Sequence, residues 1–426
     1  MSRYFIFTIS ILLAFNVSHA YYEGHINITK AAIQCLVLNG YGPFANDLLN
    51  KTINDKTYLS YIIDGIDNNS GVLGPDNKAY YDPAFEAAID QIILDVYNGM
   101  PSPVQVMFTF ADFKAKMRSF APAGMSNAEE ILKSSIQHTY CLDIQGDNLL
   151  DKISKAPYYA QLEFDKAVQI MSAANKAKDQ SQQAAGLAQL GRSIHYIQDL
   201  TVPHHTNLMQ NTNDATTAAF NGGNTQLASQ FQYEVVHINT YFQVNEGNNA
   251  ENWSALFHGN QFPIEKLCIN LIDMTKSITQ ISIDNAKTAR PFFDYCDGMC
   301  EYAAAPMGNG GFDLLSASPC TMNMDAWDGS IYSIFLGAYY VKYVFNKKTQ
   351  LCGCPWGICG CADLAYPYYG KYENFDYVAS SMLPIAIKST TLAIIKFFNT
   401  APPTIADPFS KFSKIVAYAS SIKKSK

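Results

Sequence analysis

The chain reads as an all-α, multi-helix protein carrying a cysteine-rich, loop-rich insertion. Three observations predict this. Apolar residues recur near the helical period along most of the chain, and strand-like alternation is scarce and short. Gly- and Asn-rich stretches at 68–74, 211–224 and 245–252 fall between the periodic runs as loops.

The elements follow in order. Residues 1–20 have the pattern of a secretory signal: Arg3 gives a positive start, 4–17 is an almost uncharged apolar run, and Ser18-His19-Ala20 puts small residues at the cleavage position. That run is short for a membrane span, so the mature chain is expected to be secreted and to start at Tyr21. Helical spacing then marks 29–38, 83–97, 158–177, 184–200, 230–242 and 264–290, the last ending at Pro291. Two further helices are predicted at 331–345 and 382–398. Residues 377–398 approach the length of a membrane span. Lys388, Ser389, Thr390, Thr391 and Lys396 instead mark that stretch as a buried or surface helix that closes the fold. The segment 294–372 differs in texture, with most of the cysteines, many glycines and few long periodic runs, as expected of an insertion on one helical domain spanning 21–426.

Composition narrows the function classes. The net charge is −7 and the pI about 5.6, with no basic block before the C-terminal lysines, so no nucleic-acid partner is expected. Ten cysteines survive removal of the signal, and an even number in an exported chain favours disulfides. The tight run Cys352-Gly-Cys354 to Cys359-Gly-Cys361 reads as a stapled loop rather than a metal knuckle, because export favours oxidised pairs over thiolate ligands.

The chemistry concentrates in Ile194-His195-Tyr196-Ile197-Gln198-Asp199-Leu200-Thr201-Val202-Pro203-His204-His205. Leu187, Leu190, Ile194 and Ile197 recur at helical spacing, which makes His195 and Asp199 an i, i+4 pair on one helix face. Pro203 cannot continue the helix, so the chain turns and can bring His205 back over the same end. Imidazole and carboxylate with no thiolate nearby suit a catalytic zinc rather than a structural one. His25, His138 and His204 also stand beside turns or acidic residues, whereas His237 and His258 have weaker contexts.

The run from Leu190 to Asn207 closely resembles the metal-binding core of zinc-dependent phospholipases C: His-Tyr-x-x-Asp, five further residues with Pro near their end, then His and a nearby Asn. His138-Thr-Tyr140 followed by Asp143 matches an upstream element of that family. His25 matches the histidine of its first helix, and Glu234 matches a downstream carboxylate. The resemblance implies a secreted helical bundle of the type shared with single-strand zinc nucleases, holding three zinc ions in a cleft. By that likeness His138, His195 and Asp199 surround one ion, and Asp199, His25 and the amino end at Tyr21 serve a second. His205 and Glu234 hold the third. An acidic residue between His25 and His138 is implied as ligand and general base; Asp67 is the first choice and Asp64 the reserve, since both stand in Ile63-Asp64-Gly65-Ile66-Asp67.

The implied activity is cleavage of the glycerol-side phosphodiester of phosphatidylcholine-like lipids to diacylglycerol and a phosphorylated headgroup, by a monomer acting on a phospholipid surface. Two other readings share the fold: a secreted single-strand nuclease, and an exported binding protein that has lost a metal. Tyr196 and His205-Thr206-Asn207 lean toward the lipase. Three features depart from the family. Gln230 replaces a zinc-binding histidine four residues before Glu234, which makes the third site the weakest; Tyr21 replaces a tryptophan; and segment 294–372 has no counterpart.

Overall fold

The computed structural model describes residues 22–66, 81–98, 109–119, 137–140, 142, 152, 154–206, 233, 238, 242–262, 264, 268, 275–292 and 373–401. The expected signal, the predicted helix 331–345 and the insertion 294–372 lie outside the described residues. Among the described residues helix predominates, and the strands are short pieces of two small antiparallel sheets.

Helix α1 spans Tyr22–Leu38 and starts well before the periodic run at 29. His25, Ile28, Thr29, Ala32 and Leu36 follow one another at helical spacing, and all are buried. Two of them are polar, so a purely apolar pattern misses the first two turns. Helix α2 (Gly42–Asn50) carries Pro43 in its first turn, and α3 spans Tyr58–Ile66. Neither falls in a predicted run. Between them β1 (Thr52–Ile53) pairs with β2 (Lys56–Thr57) across Asn54 and Asp55, both at positive φ (48° and 63°), the geometry of a two-residue hairpin turn.

Helix α4 (Pro83–Asn98) is capped by Asp82, whose carboxylate accepts from Ala84 N (2.8 Å) and Phe85 N (3.3 Å). Helix α5 spans Phe110–Ser119. Helices α6 (Ala156–Ala177) and α7 (Gln180–Asp199) form an antiparallel hairpin. Lys178 in the left-handed conformation (φ 55°) ends the first, and Asp179 starts the second by accepting from Gln182 N at 3.1 Å.

Two predicted helices are corrected. The run 264–290 is interrupted at 275–277, where the Ser277 hydroxyl accepts from Gln280 N (3.1 Å) and starts α8 (Ile278–Ala289). A serine that bonds the backbone locally competes with a continuous helix. The run 230–242 ends in a strand: Phe242 opens β3 (Phe242–Asn245), which pairs with β4 (Ser254–Phe257), and β4 pairs in turn with β5 (Asn260–Gln261). Phe242 lies opposite Phe257 and edge-on to Phe262 (5.6 Å between ring centroids), and this aromatic cluster overrides the helical spacing.

Helix α9 spans Glu373–Thr400 and packs against α1 and α7. By length and composition its segment Asp376–Thr400 could cross a membrane, but 78 % of its most apolar window is buried within the protein. Its polar residues are matched there. Ser389 Oγ donates to Asn285 Oδ1 (2.9 Å), Asn285 Nδ2 donates to Ile197 O (3.2 Å), and Thr391 Oγ1 donates to Ile387 O (2.8 Å). Of the two readings left open by the sequence, a buried or a surface helix, the structure has the buried one, and it starts at Glu373, earlier than the predicted 382.

Helix α7 is the axis of the body, with α6, α3, α8 and α9 around it, and Leu187, Leu190, Ile194 and Ile197 are fully buried. A disulfide joins Cys35 on α1 to Cys268 across a sequence separation of 233; the other cysteines lie outside the described residues. Removing a cross-link over so long a loop frees the unfolded chain, so the double substitution of Cys35 and Cys268 by Ala should lower unfolding free energy by about 5 kcal/mol. An unchanged urea midpoint would show that the bond contributes nothing.

Candidate metal centre

The site lies where the C-terminal end of α7 meets α1, α3 and the segment 137–140. His25 comes from α1, His195 and Asp199 from α7, His205 from the 3₁₀ turn Pro203–Thr206, and His138 from 137–140. Each of the five is at most 2 % exposed, which removes bulk water as their partner. The turn forms as expected beyond the helix end: Thr201 N bonds Gln198 O (2.8 Å), Val202 N bonds Asp199 O (2.8 Å), and His205 N bonds Val202 O (3.1 Å). Tyr140 N donates to His205 O at 2.9 Å, which stitches His138 beside the turn.

Asp199 stands at the centre. Its Oδ2 lies 2.6 Å from His138 Nδ1 and 3.4 Å from His195 Nε2, and its Oδ1 lies 3.2 Å from His25 Nε2. The His25 and His195 rings stack at 4.2 Å. Burial pushes the Asp199 carboxyl up, but positive charge on His195, His138 and His205 and the hydrogen bond from His138 outweigh it. The group is held well below the ordinary carboxylate range and is an anion at neutral pH.

The histidines share one orientation. Nδ1 of His25 faces Gln198 Oε1 (2.6 Å), that of His138 faces Asp199 Oδ2 (2.6 Å), that of His195 faces Ile66 O (3.2 Å), and that of His205 faces His138 O (3.3 Å). Each of these oxygens can only accept, so each Nδ1 carries a proton and Nε2 is the ring atom that could ligate a metal ion. Imidazoles held in this way are how proteins orient metal-binding histidines. Asp199 Oδ1 is buried, receives no hydrogen bond, and faces His25 Nε2. Two such atoms at 3.2 Å repel unless a cation lies with them, either a proton or a metal ion. His25, His195 and Asp199 offer ligand atoms all within 4.8 Å of one another, and this group could hold a metal ion.

Comparison with protein-family models, with curated proteins and with solved structures finds no match in any of the three.

Of the residues singled out from sequence, His25, His138, His195, Asp199 and His205 converge. The resemblance sets His138 with His195 and Asp199 and gives His25 to a second ion; in the structure His25, His195 and Asp199 form the compact group, and His138 reaches it by a hydrogen bond to Asp199. Asp64 is held in an ion pair with Lys56 and lies outside that group. Tyr21, Asp67, Glu234 and Gln230 lie outside the described residues, as does the side chain of His204.

Two partners were not found from sequence, the Ile66 carbonyl and Gln198, whereas Tyr196, read there as part of the motif, places its ring 4.4 Å from that of His138. A carbonyl carries no sequence signal. The only hint for Gln198 was an amide set among apolar residues on a helix too buried to leave it in water.

Proposed function

We propose that the chain is a secreted, zinc-dependent phospholipase C that hydrolyses the glycerol-side phosphodiester of phosphatidylcholine-like lipids. One observation carries the reading: histidines far apart in sequence (His25, His138, His195, His205) meet around a buried Asp199 whose carboxyl they hold well below its ordinary range, in the order of the motif. A bound zinc there supplies Lewis acidity toward a phosphoryl oxygen and brings the pKa of bound water down to about 7. The residues do the rest. His25, His195 and Asp199 hold the ion, with His138 and His205 beside them, and Tyr21 and Glu234 are assigned as further ligands by resemblance. Asp67 is the residue proposed to take the proton from the attacking water, since the Asp64 carboxylate is occupied by Lys56.

The test uses processed, zinc-loaded protein with two substrates. Phosphatidylcholine vesicles should yield diacylglycerol and water-soluble phosphorylcholine, and single-stranded DNA should stay intact. Cleavage of DNA with no lipid turnover would move the reading to a nuclease. Zinc below one ion per chain with neither substrate cleaved would leave a binding protein.

A further inference from the structure

We infer that Gln198 is a positioning residue that fixes the tautomer of His25 and ties the closing helix to the metal centre. The inference rests on the metal-binding reading and deepens it.

Gln198 is fully buried next to Asp199, on a helix end where side chains find no water. A buried primary amide must place one acceptor and two donor hydrogens, or forfeit the cost of each group left unmet. All are placed. Oε1 accepts from His25 Nδ1 at 2.6 Å; Nε2 donates to Thr29 Oγ1 (2.9 Å) and to Thr390 Oγ1 (2.9 Å). Thr29 and Thr390 are themselves fully buried, on α1 and α9. One amide thus joins three helices, over sequence separations of 169 to Thr29 and 192 to Thr390.

The orientation of that amide decides which His25 nitrogen faces Asp199 as a lone pair. With both donor hydrogens directed at the threonine hydroxyls, only Oε1 is left for the imidazole, so the ring proton sits on Nδ1. Nε2 is then a ligand atom, 3.2 Å from Asp199 Oδ1. Were the amide reversed, its NH₂ would face Nδ1. The ring proton would move to Nε2 and point at Asp199, and that nitrogen could not bind an ion until it lost the proton. In the orientation seen, the two threonine hydroxyls accept the amide hydrogens and Oε1 is turned to His25, the arrangement that goes with a ligand-competent ring. Thr29 sits one helical turn from His25 on the same face of α1, so imidazole and amide are held from a shared frame.

The experiment compares wild type with Gln198→Leu, Gln198→Glu, Thr390→Val and Asp199→Ala. Zinc affinity is read by chelator competition, the cobalt(II) form by its visible absorption, and the His25 tautomer by ¹⁵N shifts of the metal-free protein at pH 8. Wild type should show His25 protonated at Nδ1. Gln198→Leu should weaken zinc by about 10- to 100-fold, the range for partners that orient a ligand histidine, and should alter the cobalt spectrum. Gln198→Glu keeps an acceptor for Nδ1 and lets both threonine hydroxyls donate to it, so zinc affinity should return to within about threefold of wild type. Thr390→Val should lie between. A His25 protonated at Nε2 in wild type, or a folded Gln198→Leu with wild-type zinc affinity and cobalt spectrum, overturns the role of Gln198. The tautomer measurement stands even if Gln198→Leu does not fold. Wild type that holds no zinc, or holds it no better than Asp199→Ala, overturns the metal-binding reading itself.

Discussion

Under the proposed function, Asp199→Asn is expected to abolish hydrolysis and zinc retention while the protein stays folded at neutral pH. The carboxylate is the only anion among four imidazoles in the described part of the site, and it touches three of them: His138 at 2.6 Å, His25 at 3.2 Å and His195 at 3.4 Å. Its charge does two things. It offsets the positive charge of a bound cation in a setting where water cannot, and it offers Oδ1 as a ligand atom that no hydrogen bond engages. Asparagine keeps the shape and one acceptor oxygen but loses the charge, so the loss should exceed the 10- to 100-fold typical of outer partners and reach about 10³-fold or more in turnover. Because the carboxyl is held well below its ordinary range, it is not a proton donor near neutrality, and the variant should not simply shift the pH optimum. Phosphorylcholine release and zinc content after dialysis check this together; a folded Asp199→Asn with zinc and full turnover would remove Asp199 from the site.

Why was this much legible in the sequence? Helix α7 carries its own evidence, because Leu187, Leu190, Ile194 and Ile197 bury one stripe and Pro203 ends it, and the i, i+4 placement of His195 and Asp199 follows from helix geometry alone. His205 followed from the turn. What failed was whatever depends on distant partners. Helices α2 and α3 are nine residues each, too short for a periodic pattern to stand out, and they form because tertiary burial of Phe44, Leu48, Leu59 and Ile62 holds them. Phe242 carries helical spacing yet pairs as a strand with Phe257. The bonds of Gln198 to Thr29 and Thr390 join positions no local rule relates. Local spacing found His195, Asp199 and His205, the family resemblance added His25 and His138, and long-range packing supplies what orients these candidate ligands.

Packing makes one more demand, at the crossing of α3 and α7, and Gly65→Ala should cost more than a methyl at any other described glycine. A Cβ on Gly65 would stand 1.7 Å from Ala188 O, and one on Gly191 would stand 2.0 Å from Ile62 O. Both obstacles are backbone, so no rotamer change relieves them and the helices must separate. Overpacking ordinarily costs about 1–3 kcal/mol, and clashes this deep should lie at or beyond the upper end. The consequence reaches the site. The close approach brings Ile66 O to 3.2 Å from His195 Nδ1, one residue beyond Gly65, and that carbonyl keeps the His195 proton on Nδ1. If α3 is pushed off α7, His195 loses its acceptor and zinc affinity should fall along with stability. Gly191→Ala meets the same crossing from the other side, so it should also destabilise and weaken zinc, and the double variant should cost less than the sum because one separation relieves both clashes. Urea midpoints and zinc competition on the two single variants and the double variant measure this coupling. Strict additivity, or a Gly65→Ala protein as stable as wild type, would mean that the helices do not approach so closely and that His195 takes its orientation from another group.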